Sequence, residues 1–501
     1  MDAVLQGLGA LTHSWAIPAA FLGVLWGIFG GALPGISPSI AMAILLPMTI
    51  GMEPVTAIVL LASVYVGAEY GGSIPAILIR TPGTNSAAAT TIDGYEMARQ
   101  GRAGEALGIS LIAGLAGGLF GLVVLVLAAK PLATVALAFT PMAYFALGIL
   151  GISVIAGLAG GSLLKGLLAA VIGLMISMVG SDPISGVSRF TFDSPDLLGG
   201  IKPLLVMVGL FAVSEMLFQV SAPPWARADA ANARLKLPNW LMMKRLARPT
   251  GIGCAIGTFE GVTPGAGGTV AAFMAYSEAK RWSKHPEEFG KGSPEGVAAP
   301  ESANNVVTAT ALVPLLSLGI PGSNSAAVLL GAFLVHGLTP GPMLFEKAPQ
   351  VVYGLFGGLL VANIAMLLIG LVILTPCIWL VNRPKHWLIA IILALVVSGV
   401  YSVHQSLFEV GLVLAVGVLG YVLRLCKVPM LPMVLGVVLG FMIESNYRRS
   451  LLLSGGDHAI FVTDRVSLGL LLLAAALTVY SSWKEFRRPR PPADLLEEKV
   501  T

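Results

Sequence analysis

Apolar stretches long enough to cross a bilayer recur from one end of this chain to the other. Their approximate limits are 16–50, 54–72, 74–92, 106–129, 132–158, 161–180, 201–220, 251–277, 301–318, 320–336, 351–376, 387–402, 406–423, 428–445 and 466–482. A helix that spans hydrocarbon uses about 20 apolar residues, so this pattern decides the solvent before it decides the fold. Charge agrees: only 11% of the 501 residues are Asp, Glu, Lys or Arg, against about 25% in a soluble protein. The 60 glycines suit helices that approach closely without a water-driven hydrophobic force. The sequence predicts an all-α polytopic membrane protein with about 12–15 hydrophobic segments.

Basic residues mark the loops expected on the cytoplasmic side. Residues 221–250 hold Arg227, Arg234, Lys236, Lys244, Arg245 and Arg248 against one acid, Asp229, and read as a cytoplasmic linker. It divides a first membrane repeat (1–220) from a second (251–445), followed by a final span and cytoplasmic tail (446–501). Counting one crossing per segment also puts Lys484, Arg487, Arg488 and Arg490 inside, with Arg448 and Arg449 as the exception. The start, Met1-Asp2, has no basic cluster before the first apolar run, so that run is expected to stay as a span. Cys254, Cys377 and Cys426 have neither metal nor redox spacing and read as small buried side chains.

Two motifs occur twice in the same order. Pro34-Gly35 with Ser37 is matched by Pro264-Gly265 with Gly267, Gly268 and Thr269, an offset of 264 − 34 = 230. Pro82-Gly83-Thr84-Asn85-Ser86 is matched by Pro321-Gly322-Ser323-Asn324-Ser325, an offset of 321 − 82 = 239 that Pro75 and Pro314 share. Proline removes a backbone donor and glycine opens left-handed φ, so each pair is expected to break a helix or form a re-entrant hairpin. Two repeats of opposite orientation with broken helices at matching positions point to a transporter's binding site.

The chemistry at the breaks is polar without fixed charge. Half-helix N-termini favour carboxylates, and the hydroxyls and amides after them can cap backbone amides or bind an anion, while carbonyl ends suit Na⁺. Asn85 and Asn324 are expected to read the solute as a symmetric pair, with helix capping and Na⁺ coordination as competing roles. Ionisable residues in apolar surroundings are functional candidates by default: Glu69 and Arg80 beside the first break, Glu260 before Pro264, and Glu301 with Asn304 and Asn305. Glu69, Asn304 and Asn305 are the candidate Na⁺ ligands, and Arg80 a candidate for the substrate. No Walker loop, zincin motif or nucleophile elbow is present. An enzyme is not expected, and without a nucleotide site the energy must come from an ion gradient.

The motifs Gly71–Leu78, Thr81–Thr84, Asp93–Tyr95 and Gly101–Gly108 resemble the TctA family, the large membrane subunit of tripartite tricarboxylate transporters. The likeness continues through Pro264–Gly267, Pro286–Gly292, Glu295–Asn305, Leu318–Gly322 and His336–Pro342, and covers roughly Ala20 to Glu444. It implies secondary, Na⁺-coupled uptake of an organic carboxylate across a bacterial inner membrane. A small membrane subunit of about four spans and a periplasmic solute-binding protein are the implied partners. The alternatives are a proton-coupled carrier and a facilitator or channel without coupling. Arg80 stands where the family has Asn before Thr-Pro-Gly, and Asn85 and Asn324 replace smaller or apolar residues. These departures remove the expectation of citrate in particular and leave the carboxylate class.

Overall fold

The structure, a computed structural model, describes residues 2–158, 162–182, 186–221, 234–263 and 267–486. Backbone amides and carbonyls find no water in hydrocarbon, so apolar runs close their hydrogen bonds internally as helices. In chain order these are α1 (Asp2–His13), α2 (Ala16–Ala32), α3 (Pro38–Leu45), α4 (Pro54–Ile79), α5 (Thr90–Arg99), α6 (Ala103–Ala136), α7 (Pro141–Leu158) and α8 (Leu163–Ser177). α9 (Pro203–Met207) runs through a π-helical stretch, Val208–Val213, into α10 (Ser214–Ser221). Then come α11 (Trp240–Val262), α12 (Gly267–Trp282), α13 (Pro294–Thr310), α14 (Leu312–Leu318), α15 (Asn324–Val335), α16 (Leu344–Lys347) and α17 (Pro349–Gly370). The last are α18 (Leu374–Val381), α19 (Lys385–His404), α20 (Leu407–Leu425), α21 (Met430–Leu453), α22 (Ile460–Thr463) and α23 (Arg465–Phe486).

Eight helices among the described residues are long and apolar enough to cross a membrane, and several shorter apolar helices accompany them. The chain is a polytopic, all-α membrane protein; the described strands amount to one short antiparallel pair, Gly180–Ser181 with Ser188–Arg189. One boundary differs from the sequence reading. Segments 54–72 and 74–92 do not divide at residue 73, because α4 continues through Pro75 to Ile79. The cysteines are all free, but only Cys254 and Cys377 are buried; Cys426 is exposed.

The chain forms two compact units, one of residues Met1–Ala138 and Ser177–Cys426, the other of Phe139–Ile176 and Lys427–Thr501. In the smaller, α7 packs on α21 and α23, and Phe145, Tyr447 and Phe461 form an aromatic cluster. In the larger, α2 lies along α4 and α11 along α13. Glycines four residues apart make both contacts close: a Cβ on Gly27 would stand 2.3 Å from the Val64 carbonyl, and one on Gly257 2.4 Å from that of Ala303. These positions keep the motif offsets (257 − 27 = 230; 303 − 64 = 239). Sequence spacing has thus become the same helix contact twice. α4 and α13 are buried almost throughout; α4 is largely apolar, as a helix surrounded by protein should be, whereas α13 also buries Glu295, Glu301, Asn304 and Asn305.

Asp93, buried on α5, ties the larger unit together away from the breaks. Its Oδ1 accepts from the amides of Gly290, Gly292 and Ser293, at 2.8, 2.8 and 2.9 Å, and its Oδ2 from the Tyr276 hydroxyl at 2.9 Å. One carboxylate thereby fixes α5, α12 and the loop before α13. Asp93→Ala strands these donors and is expected to cost about 3 kcal/mol. A clear fall in the thermal midpoint of the purified protein checks it, and an unchanged midpoint refutes the latch.

Candidate site at the paired helix breaks

Each second break is built alike. α4 ends on Arg80 in the left-handed region (φ 57°), and α14 ends on Gly319 (φ 74°). The chain then turns back so that Gly83 N–H donates to the Gly72 carbonyl at 3.0 Å and Gly322 N–H to that of Ala311 at 3.3 Å. The residue after each glycine caps the helical turn beyond it: the Thr84 hydroxyl accepts from Ala87 N–H (3.4 Å), and the Ser323 hydroxyl from Ala326 N–H (3.1 Å). Capping therefore belongs to Thr84 and Ser323, not to the asparagines beside them. Asn85 and Asn324 are exposed, whereas the residues on either side of each, Thr84, Ser86, Ser323 and Ser325, are buried.

The segment after each break docks on the other half of the chain. Ser323 lies 3.1 Å from the Tyr65 hydroxyl of α4, and Ser325 3.2 Å from Ser39 of α3. At the offset positions, Thr84 packs on Gly72 of α4, and Ser86 comes up against Gly268 of α12, which Asn304 of α13 also meets. A Cβ on Gly268 would lie 2.6 Å from Asn304 Oδ1 and 3.4 Å from Ser86 Cβ. Tyr65 and Asn304 are themselves an offset pair (304 − 65 = 239), so the two crossings are counterparts with different chemistry.

The first crossing carries a carboxyl group. Glu69, 5% exposed, accepts from Ser86 at 2.6 Å, and Ser86 stands 3.1 Å from the Thr84 hydroxyl. Asn304 lies beside the same carboxylate but outside hydrogen-bonding geometry, and both ends of its buried amide are unpartnered. A buried amide with neither donor nor acceptor used is costly. Four oxygen-bearing side chains converge here on open polar capacity, a donor set that suits a hard cation rather than a thiol- or imidazole-loving one.

The remaining predicted residues are distributed around these crossings. Pro34 is buried, Gly35 is left-handed (φ 89°), and a Cβ there would fall 1.8 Å from Gln219 Nε2. Gln219 donates to Glu215 (2.8 Å), which pairs with Arg424. Ser37 precedes α3 without a side-chain cap bond. Pro82 and Thr269 are half-buried, and Pro321 is buried. Gly267 opens α12 at φ 67°. Arg80 is exposed and lies over the Tyr95 ring, 5.7 Å to its centroid. Pro264 and Gly265 lie outside the described residues, as do Arg227, Asp229 and Arg487–Arg490. Asn305 does not join Glu69: its Nδ2 donates to the Glu301 carbonyl at 3.0 Å, and it faces Gly114 of α6. Glu260 is buried on α11.

The tripartite tricarboxylate transporter TctA family matches residues 17–435. The chain belongs to the TctA family. Its curated relatives include an uncharacterised 52.8 kDa protein in the TAR-I ttuC′ 3′ region of Agrobacterium vitis, 39% identical over 473 residues, 94% of each chain. A second protein, in the TAR-II ttuC′ 3′ region of the same organism, is 36% identical over 234 residues, 47% of this chain and 97% of that one. No solved structure matches. Membership makes this a component of a tripartite transporter and so implies partner subunits. Sequence reasoning missed Tyr65 and Ser39, although the offset already paired Tyr65 with Asn304 and Ser39 with Thr269.

Proposed function

We propose that this TctA-family chain is the translocating subunit of a binding-protein-dependent importer that carries an organic carboxylate on a Na⁺ gradient. Its two repeats lie antiparallel in a bacterial inner membrane, with α2–α3 and α15 as re-entrant or half-crossing elements. α3 and α15, at 8 and 12 residues, fall short of the roughly 20 that a crossing needs. A periplasmic solute-binding protein delivers the solute, and a small membrane subunit of about four spans completes the assembly.

The observation that carries this reading is the pair of crossings. Each presents one exposed asparagine, Asn85 or Asn324, in a buried break. Their amides donate to the carboxylate beside free helix amides. The Na⁺ is held at the first crossing by Glu69, Thr84, Ser86 and Asn304, whose unpartnered amide oxygen is satisfied by the ion. Tyr65, Ser39, Ser323 and Ser325 offer hydroxyls at the second, with Glu69 one turn from Tyr65 on α4.

Vesicles carrying all three components test it with a panel of radiolabelled di- and tricarboxylates. Accumulation should require an inward Na⁺ gradient. Uptake that survives collapse of every gradient overturns coupling in favour of a facilitator, and dependence on protons alone replaces the ion. Glu69→Gln should lower the apparent Na⁺ affinity about tenfold or more, at the scale of one lost charged contact. Asn85→Ser and Asn324→Ser together should weaken apparent substrate affinity by a similar factor. Unchanged affinity in the serine pair removes the asparagines from the substrate site.

A further inference from the structure

A cavity of about 360 Å³ opens where the start of α11 meets the end of α12. Lys244, Arg245, Arg248 and Lys284 line it with Trp282, and Glu295 is its one carboxylate. That carboxylate is already engaged: Arg245 Nε donates to it at 3.0 Å, the Ser283 hydroxyl at 2.7 Å, and Arg245 also pairs with Glu288. Lys244, Arg248 and Lys284 have no acid partner among the described residues. Lys244 rests on the Trp240 ring (5.4 Å) and Arg248 on the Trp282 ring (5.8 Å). Both indoles are exposed, at 69% and 53%, and Leu241 beside them at 77%.

Three uncommitted cations around a cavity, bordered by exposed indoles and an exposed leucine, form a surface with two requirements. One side needs an oxyanion and the other needs hydrocarbon. Indoles settle at the level of lipid headgroups, and basic pockets between membrane helices take lipid phosphates. A soluble anion answers only the first requirement.

We propose that this cavity binds the phosphate of an anionic phospholipid, with Lys244, Arg248 and Lys284 as its ligands and the Trp240–Leu241 and Trp282 surface under its acyl chains. Arg245 is not a ligand; its pairing with Glu288 and Glu295 holds α11 against α13 and shapes the wall. The site is independent of the transport reading and stands or falls without it.

Native mass spectrometry of the full chain, titrated with dioleoyl phosphatidylglycerol, tests it against phosphatidylcholine and inorganic phosphate. One phosphatidylglycerol should be retained and should raise the thermal midpoint, and phosphatidylcholine should do neither. Replacing Lys244, Arg248 and Lys284 together by Gln should weaken retention about a hundredfold. The pair Lys244→Arg with Lys284→Arg should keep it, separating charge loss from misfolding. Equal retention by the Gln triple variant, or equal binding of phosphatidylcholine, overturns the site. Full stabilisation by millimolar inorganic phosphate overturns the lipid assignment and makes it a soluble-anion pocket.

Discussion

Glu301→Ala is expected to leave the chain unable to hold its fold, and the loss should exceed that of any surface substitution. Glu301 is fully buried on α13 and accepts from Ser73 of α4 at 2.6 Å, from Thr90 of α5, and from Ser110 of α6 at 2.9 Å. Three hydroxyls on three helices thus converge on the two oxygens of one carboxyl group, which have enough lone-pair sites to accept from all three. Alanine removes the acceptor and leaves three buried hydroxyls without it, at about 1–3 kcal/mol each. The total is a large part of the roughly 5–15 kcal/mol that keeps a folded domain together. Gln, which retains one carbonyl oxygen of the right reach, should be less damaging. Membrane-inserted yield and the thermal midpoint of purified protein are the measurements. An alanine variant with the parent's midpoint would show that the hydroxyl cluster contributes nothing to stability.

Gly83→Ala should abolish transport as well as destabilise, because it strikes the break itself. A Cβ at Gly83 would stand 1.8 Å from the Gly31 carbonyl and 2.8 Å from Gly72 Cα, all backbone that cannot step aside. Overpacking of this kind typically costs about 1–3 kcal/mol, and relief can come only by pushing the break away from α2 and α4. That displacement carries Thr84 and Ser86 off Glu69. Gly322→Ala meets the Gly261 carbonyl at 2.5 Å and should be the milder of the two. Gly251 supplies the control, since a Cβ there meets nothing within 4 Å and alanine should be neutral or slightly stabilising. Uptake in reconstituted vesicles and the thermal midpoint, read together, check the order. Gly83→Ala with parental transport would show that this contact is not needed for the site.

Sequence expectation and structure part company at Pro75. A proline with more apolar residues after it looks like a boundary, yet α4 runs through it. Proline is tolerated inside a membrane helix when neighbouring groups compensate the lost bond. Here the returning chain places Gly83 N–H on the Gly72 carbonyl at 3.0 Å, next to the Gly71 carbonyl that Pro75 leaves without its donor, and Thr81 N–H closes the helix end on the Pro75 carbonyl at 3.3 Å. The turn then falls on Arg80, a residue with no preference for left-handed φ, and composition gives no sign of it. Asn304 and Asn305 are indistinguishable as neighbours in a motif. Consecutive residues on a helix point about 100° apart, so one reaches the Glu69 cluster and the other turns to α6.

The solvent, the helices, the breaks at Pro82–Gly83 and Pro321–Gly322 and the offset relating them were legible in linear order. Each of these comes from local chemistry: hydrophobic run length, the missing amide of proline, and the four-residue spacing of glycines. Packing in three dimensions was needed to bring Ser323 to Tyr65 and Ser325 to Ser39, across more than 250 residues of chain. Packing also left Asn304 unpartnered beside Glu69 and made hubs of Asp93 and Glu301. Hydroxyls and amides carry no signal of their partners along the chain, since a hydrogen bond depends on separations in space. Those separations are set when the glycine-lined helices pack, after every local preference has been satisfied.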